Sequence, residues 1–200
     1  MQSDTRSTAK ERKREAIIRE ALEQFSKRGY YSTTIPDIAS ALDMSVGNLY
    51  NYFQSKEILA REILRYISRY LGNRIKEINE SEETTKEKLF KIVDIYFKTA
   101  SKEPEMIDYF LRVYLSNREV FQEECKGMTC VTEFVAEIMI FFENGVARGD
   151  LKNQEFFSAF GLFMGYLGGM AFLNGEEILP KELQEFSKDV SENIYNALKI

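Results

Sequence analysis

Histidine and tryptophan are absent from this chain of 200 residues, which also has only three prolines and two cysteines. Without histidine the chain lacks the commonest general base, and its residues show no nucleophile–base pair, phosphate-binding loop or carboxylate pair of meaningful spacing. Two cysteines without histidine make no plausible metal site. We therefore expect no enzymatic activity, no metal and no cofactor.

The scarcity of proline and of β-branched runs favours an all-helical fold. Hydrophobic residues make up 44% of the chain, enough for a sizeable core. The N-terminus is polar and charged through Glu15, so it shows no cleavable signal peptide and we expect a cytoplasmic protein. Apolar spacing and helix-boundary residues predict about nine helices, over residues 8–27, two short helices within 34–53, and 56–79, 86–101, 105–116, 118–148, 154–174 and 180–199.

Residues 33–56 carry the most informative pattern. Thr34 can cap a short helix, Pro36 follows where its missing N–H costs nothing, and Asp37 completes a Thr-x-x-Asp capping box. Asp43 lies where the chain must turn and tolerates left-handed backbone, and Ser45 can cap a second short helix. Two such helices predict a helix-turn-helix, whose second helix enters the DNA major groove.

The charge is distributed unevenly along the chain. Residues 1–76 carry 14 Lys/Arg against 9 Asp/Glu, whereas residues 77–200 carry 13 against 23. A basic N-terminal part beside an acidic C-terminal part suits DNA at one end only.

At these residues the chain resembles the TetR family of repressors. The match runs through Gly29-Tyr30, Thr33-Thr34, Ile38-Ala39, Ser45-x-Gly47-Asn48-Leu49-Tyr50-x-Tyr52-Phe53 and Ser55-Lys56-Glu57. The resemblance implies an all-α fold with a three-helix DNA-binding domain at residues 1–55, a connecting helix at 56–80 and a larger effector-binding and dimerisation domain at 81–200. The chain departs from the family at Asp43, where glycine is usual, and at Val46, where Lys or Arg is frequent.

The resemblance also implies which side chains meet DNA. Positions that mainly grip phosphate correspond to Thr33, Thr34, Ser45, Tyr50, Tyr52 and Lys56. Positions that approach base edges correspond to Val46, Gly47, Asn48 and Asn51. The amides of Asn48 and Asn51 suit adenine and Val46 suits a thymine methyl, although Asn48 has a helix-capping role as its alternative.

A run of uncharged residues, 156–173, is the candidate dimer interface. Its length is at the threshold for a transmembrane helix, and Gly-x-x-x-Gly spacing occurs in membrane dimers. Small residues at this spacing equally let two helices approach in a soluble dimer, as relatives do with their last two helices. We favour the homodimer, with interface residues Gly161, Gly165, Gly168, Gly169 and Phe172.

The middle helices are rich in aromatics, and relatives enclose a small-molecule effector in this region. Candidate effector contacts are Phe97, Tyr109, Phe110, Tyr114, Phe134 and Phe141. An ordinary core is the alternative for each of them. Cys125 and Cys130 lie five apart on the predicted helix 118–148 and point about 140° apart, so we expect buried thiols and no disulfide, unless Gly127 breaks the helix.

Together these features predict a ligand-responsive transcriptional regulator. We expect a repressor that binds a palindromic double-stranded DNA operator as a dimer and is released by a small hydrophobic effector. The rival hypothesis is a DNA-binding architectural protein that responds to no effector.

Overall fold

The computed structural model describes residues 2–121 and 125–200, without the side chains of residues 2–8 and 127. These residues form ten α-helices and no strand, apart from an isolated bridge between Leu151 and Lys199. The predicted all-helical fold is confirmed. The first five helices are α1 Gln2–Arg28, α2 Ile35–Ala41, α3 Val46–Tyr50, α4 Lys56–Asn79 and α5 Thr85–Lys102. The others are α6 Pro104–Asp108, α7 Arg118–Phe121, α8 Thr132–Ala147, α9 Phe156–Gly175 and α10 Ser187–Leu198.

Two helices predicted as continuous are interrupted. After α6 the backbone runs as a π-helix over Tyr109–Tyr114. The predicted helix 118–148 is also wrong, because Lys126–Val131 forms a 3-10 helix between α7 and α8. Met128 lies there at φ +69°, a left-handed backbone conformation that no α-helix can contain. A further 3-10 helix, Leu183–Phe186, precedes α10.

The chain groups into two compact units. The first comprises Met1–Ile67 and Asp108–Val131, and the second comprises Ser68–Ile107 and Thr132–Ile200. The predicted boundaries at residues 55 and 80 differ from this grouping, because α4 contributes residues to both units. Residues 108–121 and 125–131, which we call the inserted segment, belong with the N-terminal helices despite their distance in sequence.

Each unit has its own apolar core. The first is built on the buried stripe of α1, on one face each of α2 and α3, and on the first half of α4; its members include Ile17, Leu22, Phe25, Ile38, Leu49, Phe53, Leu59 and Ile63. In the second unit α5 packs against α9 and α10 through residues such as Leu89, Ile92, Val93 and Phe97. Lys88, which is buried, donates from Nζ to the carbonyl of Asn79 at 2.8 Å and so caps the end of α4.

Candidate nucleic-acid interface

The start of α2 is fixed by the predicted capping box. The Asp37 N–H donates to Thr34 Oγ1 at 3.3 Å, and the Thr34 N–H donates to the Asp37 carboxylate at 2.8 Å. The Thr34 hydroxyl donates to the same carboxylate at 2.6 Å. These hydrogen bonds, from the hydroxyl first and the backbone second, hold the pKa of Asp37 below its ordinary value. The helix therefore begins at one defined residue.

The turn between α2 and α3 also follows the sequence pattern. Asp43 has φ +50°, the left-handed conformation expected where the chain must turn. Ser45 Oγ then accepts from the Asn48 N–H at 3.2 Å and starts α3. Leu49 and Phe53 are buried beneath this helix. These two side chains fix the rotation of α3 about its axis, so the opposite face of the helix is presented to solvent.

Most of the ten predicted DNA contacts are accessible to solvent. Six are exposed: Thr34, Ser45, Val46, Gly47, Tyr50 and Asn51. Three are half-buried: Asn48, Tyr52 and Lys56. A Cβ added at Gly47 would meet no heavy atom within 4 Å, so the backbone there is open to a close approach. Nine of the ten residues are thus exposed or half-buried, on α3 itself or at the ends of the neighbouring segments.

Thr33 is the exception and requires a correction. Its side chain is 0% exposed, and its hydroxyl is positioned to donate to the carbonyls of Gln24 and Gly29 at 3.2 and 3.1 Å. A hydroxyl bonded to the end of α1 cannot reach a phosphate. Thr33 instead ties the loop before α2 to α1.

Lys56, at the first position of α4, is held over an aromatic ring. Its Nζ lies 4.1 Å from the ring centroid of Tyr30 and 5.8 Å from that of Phe25. Burial lowers the pKa of Lys56 below its ordinary value, although the neighbouring Glu57 opposes this shift. A phosphate contact through this ammonium has to compete with a cation–π interaction worth about 0.5–1 kcal/mol at an exposed site.

The inserted segment makes contacts within the first unit that the sequence did not predict. Tyr109 is fully buried and its hydroxyl donates to the carbonyl of Ala60 at 2.7 Å. Arg61 donates from Nη1 to the carbonyl of Val120 at 3.3 Å, and the Tyr31 hydroxyl donates to Glu119 at 2.5 Å. Burial raises the pKa of Tyr109 well above its ordinary value. These bonds link the start of α4 and the loop after α1 to the inserted segment.

The six candidate effector residues are divided between the units. Tyr109, Phe110 and Tyr114 belong to the first unit, whereas Phe97, Phe134 and Phe141 are buried in the second. Phe134 lines a void of about 10 Å³, which is no larger than one water needs, together with Leu71, Ile75, Ile92, Ile95, Tyr96, Phe163 and Leu167.

A larger cavity of about 380 Å³ lies in the second unit, beside the end of α8 and the start of α9. Its apolar walls include Met139, Val146, Leu151, Ala159, Leu198 and the rings of Phe142 and Phe156. Its polar lining is formed by Glu143, Lys152, Asn153 and Gln154. The six candidate effector residues do not include any of these lining residues, and the polar groups come from a loop that carries no motif.

Helix α9 exposes an apolar face that bears three of the predicted interface glycines. A Cβ added at Gly161, Gly165 or Gly169 would meet no heavy atom within 4 Å. Phe157 and Phe172 are 59% and 57% exposed, and Gly168 is half-buried. By length and composition α9 is also apolar enough to cross a membrane.

The two cysteines form a disulfide, contrary to the expectation of free thiols. The Cα atoms of Cys125 and Cys130 are 4.9 Å apart, within the range that a disulfide requires. The two cysteines approach each other because the predicted helix is interrupted between them, in the segment that contains Gly127. Among the residues that the structure describes, no group of three His, Cys, Asp or Glu side chains could hold a metal ion.

Comparison with known proteins agrees with this geometry. Residues 17–63, which include α2 and α3, match the family model described as bacterial regulatory proteins, tetR family. Over these residues the chain is similar to the TetR family. The match also covers the C-terminal part of α1, from residue 17, and the first residues of α4, and both of these helices pack against α2 and α3 in the first core.

Relatives with known sequences are helix-turn-helix (HTH) regulators. The chain is 29% identical to the uncharacterized HTH-type transcriptional regulator YerO of Bacillus subtilis over 91% of its own length and 63% of that protein's. It is 35% identical to the HTH-type transcriptional repressor KstR2 of Mycolicibacterium smegmatis, over 44% of its own length and 43% of that protein's. The matched part is thus under two thirds of each relative.

The fold resembles solved TetR-family structures. The transcriptional regulator FadR of Bacillus subtilis, in complex with stearoyl-CoA, superposes with a TM-score of 0.73 at 19% identity, over 90% of this chain and 96% of FadR. At that identity the likeness establishes the shared fold and nothing about the ligand.

Proposed function

We propose that the protein is a ligand-responsive transcriptional repressor of the cytoplasm that binds a palindromic operator as a homodimer and is released by a small hydrophobic effector. One observation carries the DNA-binding part. Helix α3 is capped by Ser45 and anchored by Leu49 and Phe53, so it presents Val46, Gly47 and Asn51 outward. A short helix held in this way is what a major-groove reader requires.

Base recognition is assigned to the amides. Asn48 and Asn51 carry the paired donor and acceptor that match adenine, and a good bidentate contact discriminates by about 1–3 kcal/mol. Phosphate contacts, which set the register without reading sequence, are assigned to the hydroxyls of Ser45, Tyr50 and Tyr52. The Thr34 hydroxyl already donates to Asp37, so at Thr34 a phosphate contact has to displace that hydrogen bond.

The test is the affinity of Asn51→Ala for a DNA fragment selected with the wild-type protein. We expect the affinity to fall about 5- to 150-fold, as the loss of one such contact implies. Asn73→Ala is the matched control, because Asn73 is exposed on the part of α4 that belongs to the second unit. An Asn51→Ala variant that binds like the control would remove the amide from base recognition.

The homodimer is proposed from the outward face of α9. Gly161, Gly165 and Gly169 leave the helix backbone uncovered, and the exposed rings of Phe157 and Phe172 flank them. An exposed apolar surface of this kind marks an interaction site. A second copy of the same helix can approach it closely because no side chain intervenes.

Gly165→Arg tests the dimer without disturbing the fold of one copy, since nothing lies within 4 Å of the new Cβ. We expect the wild-type chain to sediment as a dimer and Gly165→Arg as a monomer. Ser101→Arg, at an exposed position of α5, should remain dimeric. A wild-type chain that stays in solution only with detergent or lipid would instead favour a membrane role for α9.

The effector is proposed to bind in the second unit, in the cavity of about 380 Å³. Its volume is within the range of small-molecule sites, about 300–1,000 Å³, and its walls are apolar with a few polar groups. The FadR structure contains stearoyl-CoA, which makes acyl compounds a sensible first set of probes.

Titration of the DNA complex with stearoyl-CoA and with free fatty acids measures whether these compounds release the protein from DNA. We expect saturable release of the DNA by a member of this set. Ala147→Trp places a large ring at an exposed position of the cavity wall and should abolish release while DNA affinity is kept. If Ala147→Trp is released as readily as wild type, the effector binds elsewhere. Operator binding that no small molecule changes would support the architectural alternative.

A further inference from the structure

The chain's only two cysteines are joined to each other within the inserted segment. Cys125 is 5% exposed and Cys130 is 1% exposed, so the disulfide is enclosed by the first unit. The dimeric DNA-binding function proposed above does not use this bond. In a reducing cytoplasm, disulfides of ordinary proteins are uncommon, and those that occur are usually redox-sensing or catalytic.

The disulfide lies next to residues that contact α4 and the loop after α1, the two segments that flank the helix-turn-helix in sequence. The Cys125 N–H donates to the carbonyl of Phe121 at 2.9 Å, and the buried Phe121 ring packs on Tyr114 with 5.2 Å between ring centroids. Phe121 directly follows Val120, whose carbonyl accepts from Arg61 in α4. Glu119, one residue earlier, accepts from Tyr31 in the loop after α1.

The covalent bond therefore constrains the stretch that holds α4 and the loop after α1. It closes a short loop in which Met128 adopts a left-handed conformation, disfavoured for a residue with a side chain. Without the bond, nothing covalent maintains that conformation. The loop is then held by non-covalent contacts alone, and we expect it to relax and the contacts at Glu119 and Val120 to weaken with it.

We propose that Cys125 and Cys130 form a reversible redox site, oxidised by low-molecular-weight disulfides, whose oxidised state pre-organises the DNA-binding helices and tightens operator binding. This inference rests on the proposed function, because it names a regulation of the same DNA-binding surface. Pre-organisation raises affinity by reducing the ordering that binding must otherwise impose.

Oxidation of the cysteine pair is a thiol–disulfide exchange, for which oxidised glutathione is the representative oxidant. One cysteine thiolate attacks a glutathione sulfur, a mixed disulfide forms, and one glutathione thiolate leaves. The second cysteine, also as its thiolate, attacks the protein sulfur of the mixed disulfide and displaces the second glutathione thiolate. Two electrons pass from the cysteine pair to the small disulfide, and the two thiol protons pass through solvent to the released thiolates.

The full-length chain is equilibrated in mixtures of reduced and oxidised glutathione, quenched with an alkylating reagent and analysed by mass spectrometry. We expect a fully reversible, two-electron transition between the dithiol and the intramolecular disulfide. The same samples are examined by hydrogen exchange, where peptides covering residues 29–34 and 56–64 should be better protected in the oxidised state. Neither readout requires DNA.

Operator affinity of the two states is then compared, with Cys125→Ser/Cys130→Ser as the control. We expect the oxidised wild type to bind at least about fivefold more tightly than the reduced form, the lower end of typical coupling. The double variant should show no dependence on glutathione. The proposal would be overturned if the disulfide failed to form or if hydrogen exchange were unchanged at both peptides. It would also be overturned if operator affinity changed less than twofold or in the opposite direction. If neither state binds any selected DNA, the proposed function fails, and the exchange data alone decide whether the redox site controls these helices.

Discussion

Gly47→Ala should strengthen the fold and weaken DNA binding at the same time. Gly47 lies inside α3, and an added Cβ would meet no heavy atom within 4 Å. Replacing glycine by alanine where the backbone is compatible raises the free energy of unfolding by about 0.4–1 kcal/mol, mainly because the unfolded chain loses freedom. Urea denaturation of the free protein measures this gain.

The same substitution is expected to lower the affinity for DNA. If the backbone at Gly47 approaches base edges, the new methyl group holds α3 away from the groove and the neighbouring base contacts lengthen. Loss of one good contact lowers affinity by about fivefold or more, since contacts of this kind are worth about 1–3 kcal/mol. Ser101→Ala, at an exposed position of α5, should leave operator affinity unchanged. A Gly47→Ala protein that is more stable and binds the operator normally would refute the placement of α3 in the groove.

Three further changes test contacts within the first unit by denaturant unfolding. Ser45→Ala removes the cap of α3 and should lower the free energy of unfolding by about 0.5–2 kcal/mol; an unchanged midpoint would contradict the capping role. Tyr109→Phe deletes the hydrogen bond to the Ala60 carbonyl and should cost about 0.5–1.5 kcal/mol, with the far-UV spectrum kept as the control for folding. Burial raises the pKa of Glu62, but hydrogen bonds from Arg14 and Arg65 outweigh burial and the pKa lies below 4.5. The stabilisation by Glu62 is therefore complete above about pH 4.5 and is lost as the pH falls below it. Glu62→Gln should be less stable than wild type at pH 7, and the difference in the free energy of unfolding should shrink in acid. A difference that does not depend on pH would contradict the ion pairs of Glu62 with Arg14 and Arg65.

Local features were predictable because neighbouring residues determine them. The capping box at Thr34 and Asp37, the left-handed turn at Asp43 and the cap at Ser45 each depend on a few consecutive residues, and all three are confirmed. The bounds of α4 agree with the predicted helix for the same reason.

Features that depend on contacts distant in sequence were not predictable. Nothing near Tyr109 distinguishes an effector contact from a buried phenol bonded to Ala60, because the partner lies 49 residues away in the sequence. Thr33 was assigned to phosphate by resemblance, yet its hydroxyl is turned inward to the end of α1. The disulfide was missed because a continuous helix was predicted there, which would hold Cys125 and Cys130 apart. The break in that helix brings the two cysteines together.

The central claim is that this chain reads DNA as a symmetric dimer. Genomic fragments are selected with the purified protein, and the enriched site is footprinted at physiological salt. We predict a protected palindrome whose half-sites are centred about one helical turn, or about 34–36 Å, apart. Diffuse protection that depends on salt and shows no repeated sequence would contradict it.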